Sequence, residues 1–464
     1  MRWPARRASR RSASGATCLR DSRTRPSWSC IGPREPRRRP GDSLRPVSSA
    51  SSASSDAAFS ERYFRKGLGL RQEVRGQVAS EYRSDWAQAF RDSGHTLGFQ
   101  RADGASTTFQ LAREWGFCYG VERSVDYAYE TLHRFPDRRI VLTGEIIHNP
   151  RVNNRLRDLG IRFLGDEDVP DESAITAEDV VLLPAFGVAT AQFDALKQSG
   201  AILVDTTCGS VLNVWKNVER YARDGLTSLV HGKANHEETR ATVSRAGLYP
   251  DAHSLVVLDM DEARLVVDYI LGRGDRAAFL ERFAPPKSSP GFDPDLHLER
   301  IGVANQTTML SSESLAIARA VGEALQQRYG DADQPSRFRS FDTICSATQD
   351  RQDALAELIR QPLDVLLVIG GYNSSNTGHL AEMADGVVPA YHITGPECLV
   401  DAARILHKPI HQKDEVQTVG WLKTDGDLRV GLTAGASTPD VMVGAVLERL
   451  LELRGHAEPY QPGV

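Results

Sequence analysis

Between Val211 and Ala222, apolar side chains recur at helical spacing (Val211, Val214, Trp215, Val218, Ala222), and Arg-Asp-Gly closes the run. Thr227 to Val230 then reads as a short apolar strand that empties into a polar loop holding His231, Asn235, His236 and Glu238. A Thr-Thr-Cys-Gly-Ser turn stands just before the helix, which puts Cys208 at its N-terminus. The same order occurs twice more. Cys118 precedes Val121, Val125 and Ala128, then the expected strand RIVLTGEII delivers His148 and Asn149. Cys345 precedes Ala354, Leu355, Leu358 and Ile359, then the expected strand DVLLVIGG delivers Asn373, Ser374, Ser375 and Asn376.

The offsets from cysteine to polar loop nearly agree: 118 to 148, 208 to 236 and 345 to 374. Each stretch also ends in a further strand and turn: VVLLPAFG around Phe186, RIGVANQTT around Thr307 and RVGLTAGAS around Ser437. Repetition of this kind predicts copies of one structural unit, here three, in a pseudo-threefold arrangement with the cysteines converging at its centre. Converging thiols imply a metal, and a helix N-terminus favours the thiolate that ligates it. Structural zinc takes a fourth protein ligand and closely spaced cysteine pairs, neither of which is evident. A [4Fe-4S] cluster with one open iron suits three cysteines. Three unrelated buried cysteines are the alternative, because free cysteine is among the most buried residue types.

The motifs GFCYGVERSVDYAYE, EIIHNPRVN, PAFG, VDTTC, HGKANHEET, NQTTM, TICSATQDRQDA, NSSNT and TAGASTPD give the chain a family likeness. It resembles the 4-hydroxy-3-methylbut-2-enyl diphosphate reductases, the last enzymes of the methylerythritol phosphate route to isoprenoids, and most of all their plastid and cyanobacterial branch. The likeness runs in family order from about Leu111 to Arg454. It implies one [4Fe-4S] cluster per chain, with an open iron, bound by Cys118, Cys208 and Cys345. It also implies reductive dehydroxylation of an allylic diphosphate to isopentenyl and dimethylallyl diphosphate, with reduced ferredoxin as donor. Glu238, the second acid of its pair, takes the proton-relay role, and Thr307 the hydroxyl that links substrate to it.

No Walker loop and no cationic run meets the expected diphosphate. Hydroxyl, amide and imidazole donors at His148, His236, Ser374, Ser375, Asn376 and Ser437 can do so, aided by backbone amides at helix starts. Read alone, NSSN and GAS are also ordinary turn formers, and Glu237 or Glu238 could be a plain first-turn helix acid. His231 remains a candidate one layer further out. Two positions depart from many bacterial relatives: Phe186 replaces a histidine, and Gly209-Ser210 follow Cys208 where Pro and a bulky residue are common. Glycine loosens that turn and brings cluster stability into question.

Charge sets the leader apart. Residues 1–57 hold 13 Arg, 13 Ser and 6 Pro against 4 acids and no Lys, a net +9 that leaves −14 on the rest of a chain of net −5. An Arg- and Ser-rich, acid-poor leader without an apolar core reads as a disordered organellar transit peptide, which implies a plastid stroma destination. A basic nucleic-acid arm is the alternative, disfavoured by the acidic remainder. The longest apolar runs are strand-length, short of the ~20 residues of a membrane span, so neither a nucleic acid nor a membrane is an expected partner. Residues 58–105 read as an N-terminal extension with one helix through ASEYRSDWAQAFRDS, clamped by Trp86 and Phe90. The fold is expected to be α/β, three similar α/β units around a central iron-sulfur cluster, with boundaries at 106–204, 205–341 and 342–464. The loop APPKSSPGFDPDLH reads as a surface insertion in the second unit, and Cys398 as a buried spare. An aconitase-like hydro-lyase and an iron-sulfur sensor or electron carrier remain alternatives, separable by whether turnover consumes electrons.

Overall fold

The structure, a computed structural model, describes residues 59–341, 343–410 and 412–456. The expected transit peptide, residues 1–57, lies outside them. Three small sheets carry the fold. The first runs, in spatial order, Tyr63–Phe64, Ile202–Asp205, Val180–Leu183, Ile140–Leu142, Arg162–Phe163, parallel throughout. The second runs Phe338–Ser340, Ile301–Asn305, Thr227–His231, Ser254–Val257, also parallel. The third runs Ala390–Ile393, Val365–Ile369, Leu428–Ala434, Ser106–Leu111, and closes with Thr96–Gln100 antiparallel at its edge. Central strands such as VVLL and VLLVI are buried at every position, as parallel strands covered on both faces must be.

The cysteines mark where the chain passes from one sheet to the next. Ser106–Leu111 belongs to the third sheet, yet the helix after it, Tyr119–Arg134, buries Val125 and Ala128 with Ile140 and Leu142 of the first. Ile202–Asp205 ends the first sheet, and the following helix Gly209–Arg223 packs on Thr227–His231 and Ile301–Asn305 of the second. Phe338–Ser340 ends the second, and Ser346–Leu358 buries Ala354, Leu355 and Leu358 with Leu366 and Val368 of the third. Each helix is entered through a cysteine N-cap in extended conformation: Cys118 at φ −82°, ψ 165°, Cys208 at −63°, 143° and Cys345 at −67°, 131°. Three sheet-to-sheet crossings around a closed cycle bring three cysteines to one centre.

The sequence boundary at 106 puts Ser106–Leu111 in the first unit, whereas this strand pairs with Leu428–Leu432 of the third sheet. Strand alternation shows which face is buried but not which distant strand is the partner. The single helix expected through residues 79–93 is two, Arg71–Tyr82 and Asp85–Asp92, because Ser84 turns extended at φ −136°, ψ 140° and its Oγ accepts from the Trp86 amide at 3.3 Å. The break sends Tyr82 into the core of the first sheet and Trp86 and Phe90 into that of the third. The extension is therefore stitched to two units, with Tyr63–Phe64 and Thr96–Gln100 as edge strands.

The strand expected through RIVLTGEII stops at Leu142, and residues 143–149 form the loop that carries Glu145 and His148 outward. The loop expected to lie on the surface of the second unit is partly core: Ser288 bridges to Leu255, and Phe292 is buried with Phe279 and Phe283. Among the described residues, no helix is long and apolar enough to cross a membrane.

Candidate functional site

Cys118, Cys208, Cys345, His148, His236, Glu238, Thr307, Ser374, Ser375, Asn376 and Ser437 all line one cavity of about 80 Å³. A larger cavity of about 470 Å³ shares Ser374 with it and opens between the second and third sheets, beside Lys233 and Lys408. His231 and Cys398 do not line the small cavity. His231 is fully buried with Nδ1 2.7 Å from Ser314 Oγ, and Cys398 is buried 3.3 Å from Thr394 Oγ1.

The sulfur end comes from the three crossings. All three thiols are free. A Cβ added at Gly120 would lie 2.5 Å from Cys208 Sγ and 4.0 Å from Cys118 Sγ, so the first helix approaches the second cysteine only because residue 120 has no side chain. Ser210 Oγ donates to Cys345 Sγ at 3.2 Å and ties the second crossing to the third. Backbone amides of Gly120 and Val121 reach Cys118, and that of Ser210 reaches Cys208. Burial nevertheless pushes both thiols up, and the neighbouring cysteines add to the rise. The expected lowering at the helix N-termini is thus outweighed by desolvation, and a bound cation would reverse the balance. Gly209 has open space at its Cβ position and no left-handed φ, so this glycine introduces no strained turn.

Sequence reasoning passed over Arg351. It is 3% exposed, donates to Ala347 O at 2.7 Å and Gly116 O at 2.7 Å, and acts electrostatically on Cys118 and Cys345. Its signal is an arginine on the buried face shared with Ala354, Leu355 and Leu358.

The opposite end is polar and uneven. Ser374 caps the helix Ser375–Ala384, whose N-terminus faces the cavity. Asn376 Oδ1 accepts from Ala436 N at 2.8 Å, while its Nδ2 is buried with no partner. Ser437 Oγ donates to His148 O at 3.1 Å and lies 3.4 Å from Ser374 Oγ, and Ser375 Oγ accepts from Gln306 Nε2 at 3.3 Å. An orphaned amide donor beside serine hydroxyls at a helix start is a site for anionic oxygens. His148 and His236 meet with their Nε2 atoms 3.1 Å apart. Phe186 stacks on His148 at 4.1 Å between ring centres and meets His236 edge-on at 5.7 Å, so it walls the histidine pair without adding a donor. Burial, with His148 and Lys233 adding to it, holds His236 down at about 3, so its ring is neutral.

Glu238 lies between the two ends. It is 1% exposed, with Oε1 accepting from Thr307 N at 2.6 Å and Oε2 from Thr307 Oγ1 at 3.0 Å. Burial pushes it up to about 7, against the downward pull of both Thr307 bonds and of His148. A carboxyl poised there exchanges protons near neutral pH. Glu237 is half exposed, its side chain 52% accessible, with its carboxylate 3.7 Å from His148 Nε2.

The family model described as LytB protein matches residues 109–451. A 4-hydroxy-3-methylbut-2-enyl diphosphate reductase from Synechococcus sp. (strain RCC307) is 49% identical over 396 residues, covering 85% of this chain and 94% of its own. The enzyme of that name from Gloeobacter violaceus is 48% identical over 405 residues, covering 86% and 94%. Among solved structures, the E-1-hydroxy-2-methyl-but-2-enyl-4-diphosphate reductase from Plasmodium falciparum matches with a TM-score of 0.53 at 20% identity, over 75% of this chain and 90% of its own, a likeness of fold.

Proposed function

The chain belongs to the LytB family, and from that premise we propose that it reduces 4-hydroxy-3-methylbut-2-enyl diphosphate to isopentenyl and dimethylallyl diphosphate, the terminal step of the non-mevalonate pathway. The observation that carries the reading is a buried proton donor, Glu238, held by Thr307 in one cavity with three free thiols and a serine-rich helix start. Cys118, Cys208 and Cys345 suit a [4Fe-4S] cluster, since the donor set is three unpaired thiols and Gly120 leaves the space between two of them clear. When bound, the cluster would pass two electrons, one at a time, from the external donor to the substrate and would offer an iron without a protein ligand.

The chain's own residues supply the rest. Ser374, Ser375, Asn376 and Ser437, with His148 and His236, grip the diphosphate and fix which carbon faces the sulfur end. Removing the hydroxyl as water consumes one proton at oxygen, and completing the C–H bond consumes a second. Glu238 delivers the first and passes on the second, and Thr307, donating to Glu238 from amide and hydroxyl, aims the carboxyl. The cavity walls, the half-buried Phe186 among them, shield the allylic intermediate from bulk water.

Reduced ferredoxin is the proposed donor and the plastid stroma the proposed location, supported by the basic leader and by cyanobacterial relatives. The test is anaerobic turnover of cluster-loaded protein with a metered reductant. Two electrons consumed per hydroxyl lost, with both C5 diphosphates formed, is the expected result. Water loss without electrons would make the protein a hydro-lyase, and electron uptake without substrate loss would make it a carrier.

A further inference from the structure

Glu145 leaves the first sheet on the loop after Ile140–Leu142 and makes two bonds through one oxygen. Its Oε2 lies 2.8 Å from His148 Nδ1 and accepts from Asn373 Nδ2 at 2.7 Å. The proton positions along this chain follow from a single backbone amide. Glu238 N–H donates to His236 Nδ1 at 3.2 Å, so that nitrogen holds a lone pair and the neutral ring carries its proton on Nε2. His236 Nε2–H faces His148 Nε2 at 3.1 Å, which must therefore accept. His148 keeps its own proton on Nδ1 and donates it to Glu145.

In that state His148 turns a lone pair toward the cavity, whereas a diphosphate brings only acceptor oxygens. The ring becomes a ligand for the anion once Nε2 gains a proton. The groups facing it are the carboxyls of Glu145, Glu237 at 3.7 Å and Glu238, and the His236 ring with Lys233 behind it. Phe186 covers one ring face and is neutral. Glu145 is the carboxylate in direct contact with the far nitrogen. Through Asn373 it also ties this loop to the one that begins the Ser374–Asn376 grip.

We propose that Glu145 is a positioning residue that makes diphosphate binding take up a proton, which lands on His148 Nε2 and turns an acceptor into a charged donor. The proposal rests on the function given above. Proton arrival also frees His236 Nε2–H to donate to the same anion.

The test titrates the cluster-loaded full chain anaerobically with inorganic diphosphate, by calorimetry in two buffers of different ionisation enthalpy. Glu145→Gln keeps an oxygen for His148 Nδ1 and Asn373 but loses the charge, and comparison with wild type cancels the ionisation of the probe itself. The expected result is about one proton fewer taken up and roughly tenfold weaker binding by the variant near neutral pH. KM for the allylic diphosphate should rise with kcat much less affected, and Glu145→Asp, which restores the charge, should recover proton uptake. Equal uptake in wild type and Glu145→Gln overturns the proposal, even where affinity falls, because Glu145 is then only a spacer. A wild-type chain that neither binds inorganic diphosphate nor reduces the allylic substrate contradicts the proposed function and this inference with it. One that turns over normally while Glu145→Gln binds as well as wild type contradicts the inference alone.

Discussion

The two ends of the small cavity are built on opposite plans. At the sulfur end each crossing contributes the same residue, a cysteine N-cap in extended conformation before a helix. At the polar end the three loops have diverged: the first two give His148 and His236, and the third gives Ser374, Ser375 and Asn376 with Ser437 beyond it. A threefold repeat suits a cubane cluster, whose thiol-bound corners need equivalent ligands. A substrate with a diphosphate at one end and a hydroxyl at the other has no such symmetry, so the loops that meet it had to differ.

The largest expected effect is at the repeated end. Serine at Cys118, Cys208 or Cys345 should lower bound iron and sulfide and abolish turnover, while Cys398→Ser should leave both intact, read by metal analysis and near-ultraviolet and visible absorbance. Bound zinc without the iron-sulfur absorbance would contradict the iron-sulfur assignment. Gly120→Ala sharpens the same point without replacing a ligand: its methyl meets Cys208 Sγ at 2.5 Å and should reduce cluster content in proportion to how far the helix must shift.

Next comes the residue between the ends. Glu238→Gln should cut anaerobic turnover under saturating reductant by about 10²–10⁴-fold, whereas Glu237→Gln should cost far less. Burial raises the folded carboxyl from 4.5 to about 7, so the donor form is lost as pH passes upward through about 7. The linked stability has the same sign: it is fully present below about 4.5 and falls as pH rises to about 7, by at most roughly 3 kcal/mol. The glutamine variant should lose that slope in a chemical-denaturation series over pH.

At the divergent end, Asn376→Ala removes the orphaned donor and should raise KM about tenfold with little change in kcat, measured by steady-state kinetics. The smallest effect belongs to the leader, since deleting residues 1–57 should leave activity unchanged. A truncated protein that folds but does not turn over would give that segment a role in the site or in donor docking.

The same contrast explains what could be read in advance. The cysteine helices were legible because their motif and apolar periodicity are local, and the repeat made each copy support the others. Glu238 over Glu237 rested on resemblance, and its physical reason appears only when Thr307 closes on it across 69 residues of chain. Contacts of that range also hid Arg351 reaching Gly116, Glu145 reaching Asn373, and Ser106–Leu111 joining the third sheet. The break at Ser84 was missed for a local reason: a serine that bonds its own backbone competes with helix, and apolar spacing continued across it.

Whether the equivalent and divergent ends serve one centre is tested most directly by Mössbauer spectroscopy of iron-57-loaded protein with and without the allylic diphosphate. Three thiol-bound corners and one without a protein ligand should give one distinct iron in four, and its signal alone should move when substrate fills the polar end. Four like irons, indifferent to substrate, would contradict it.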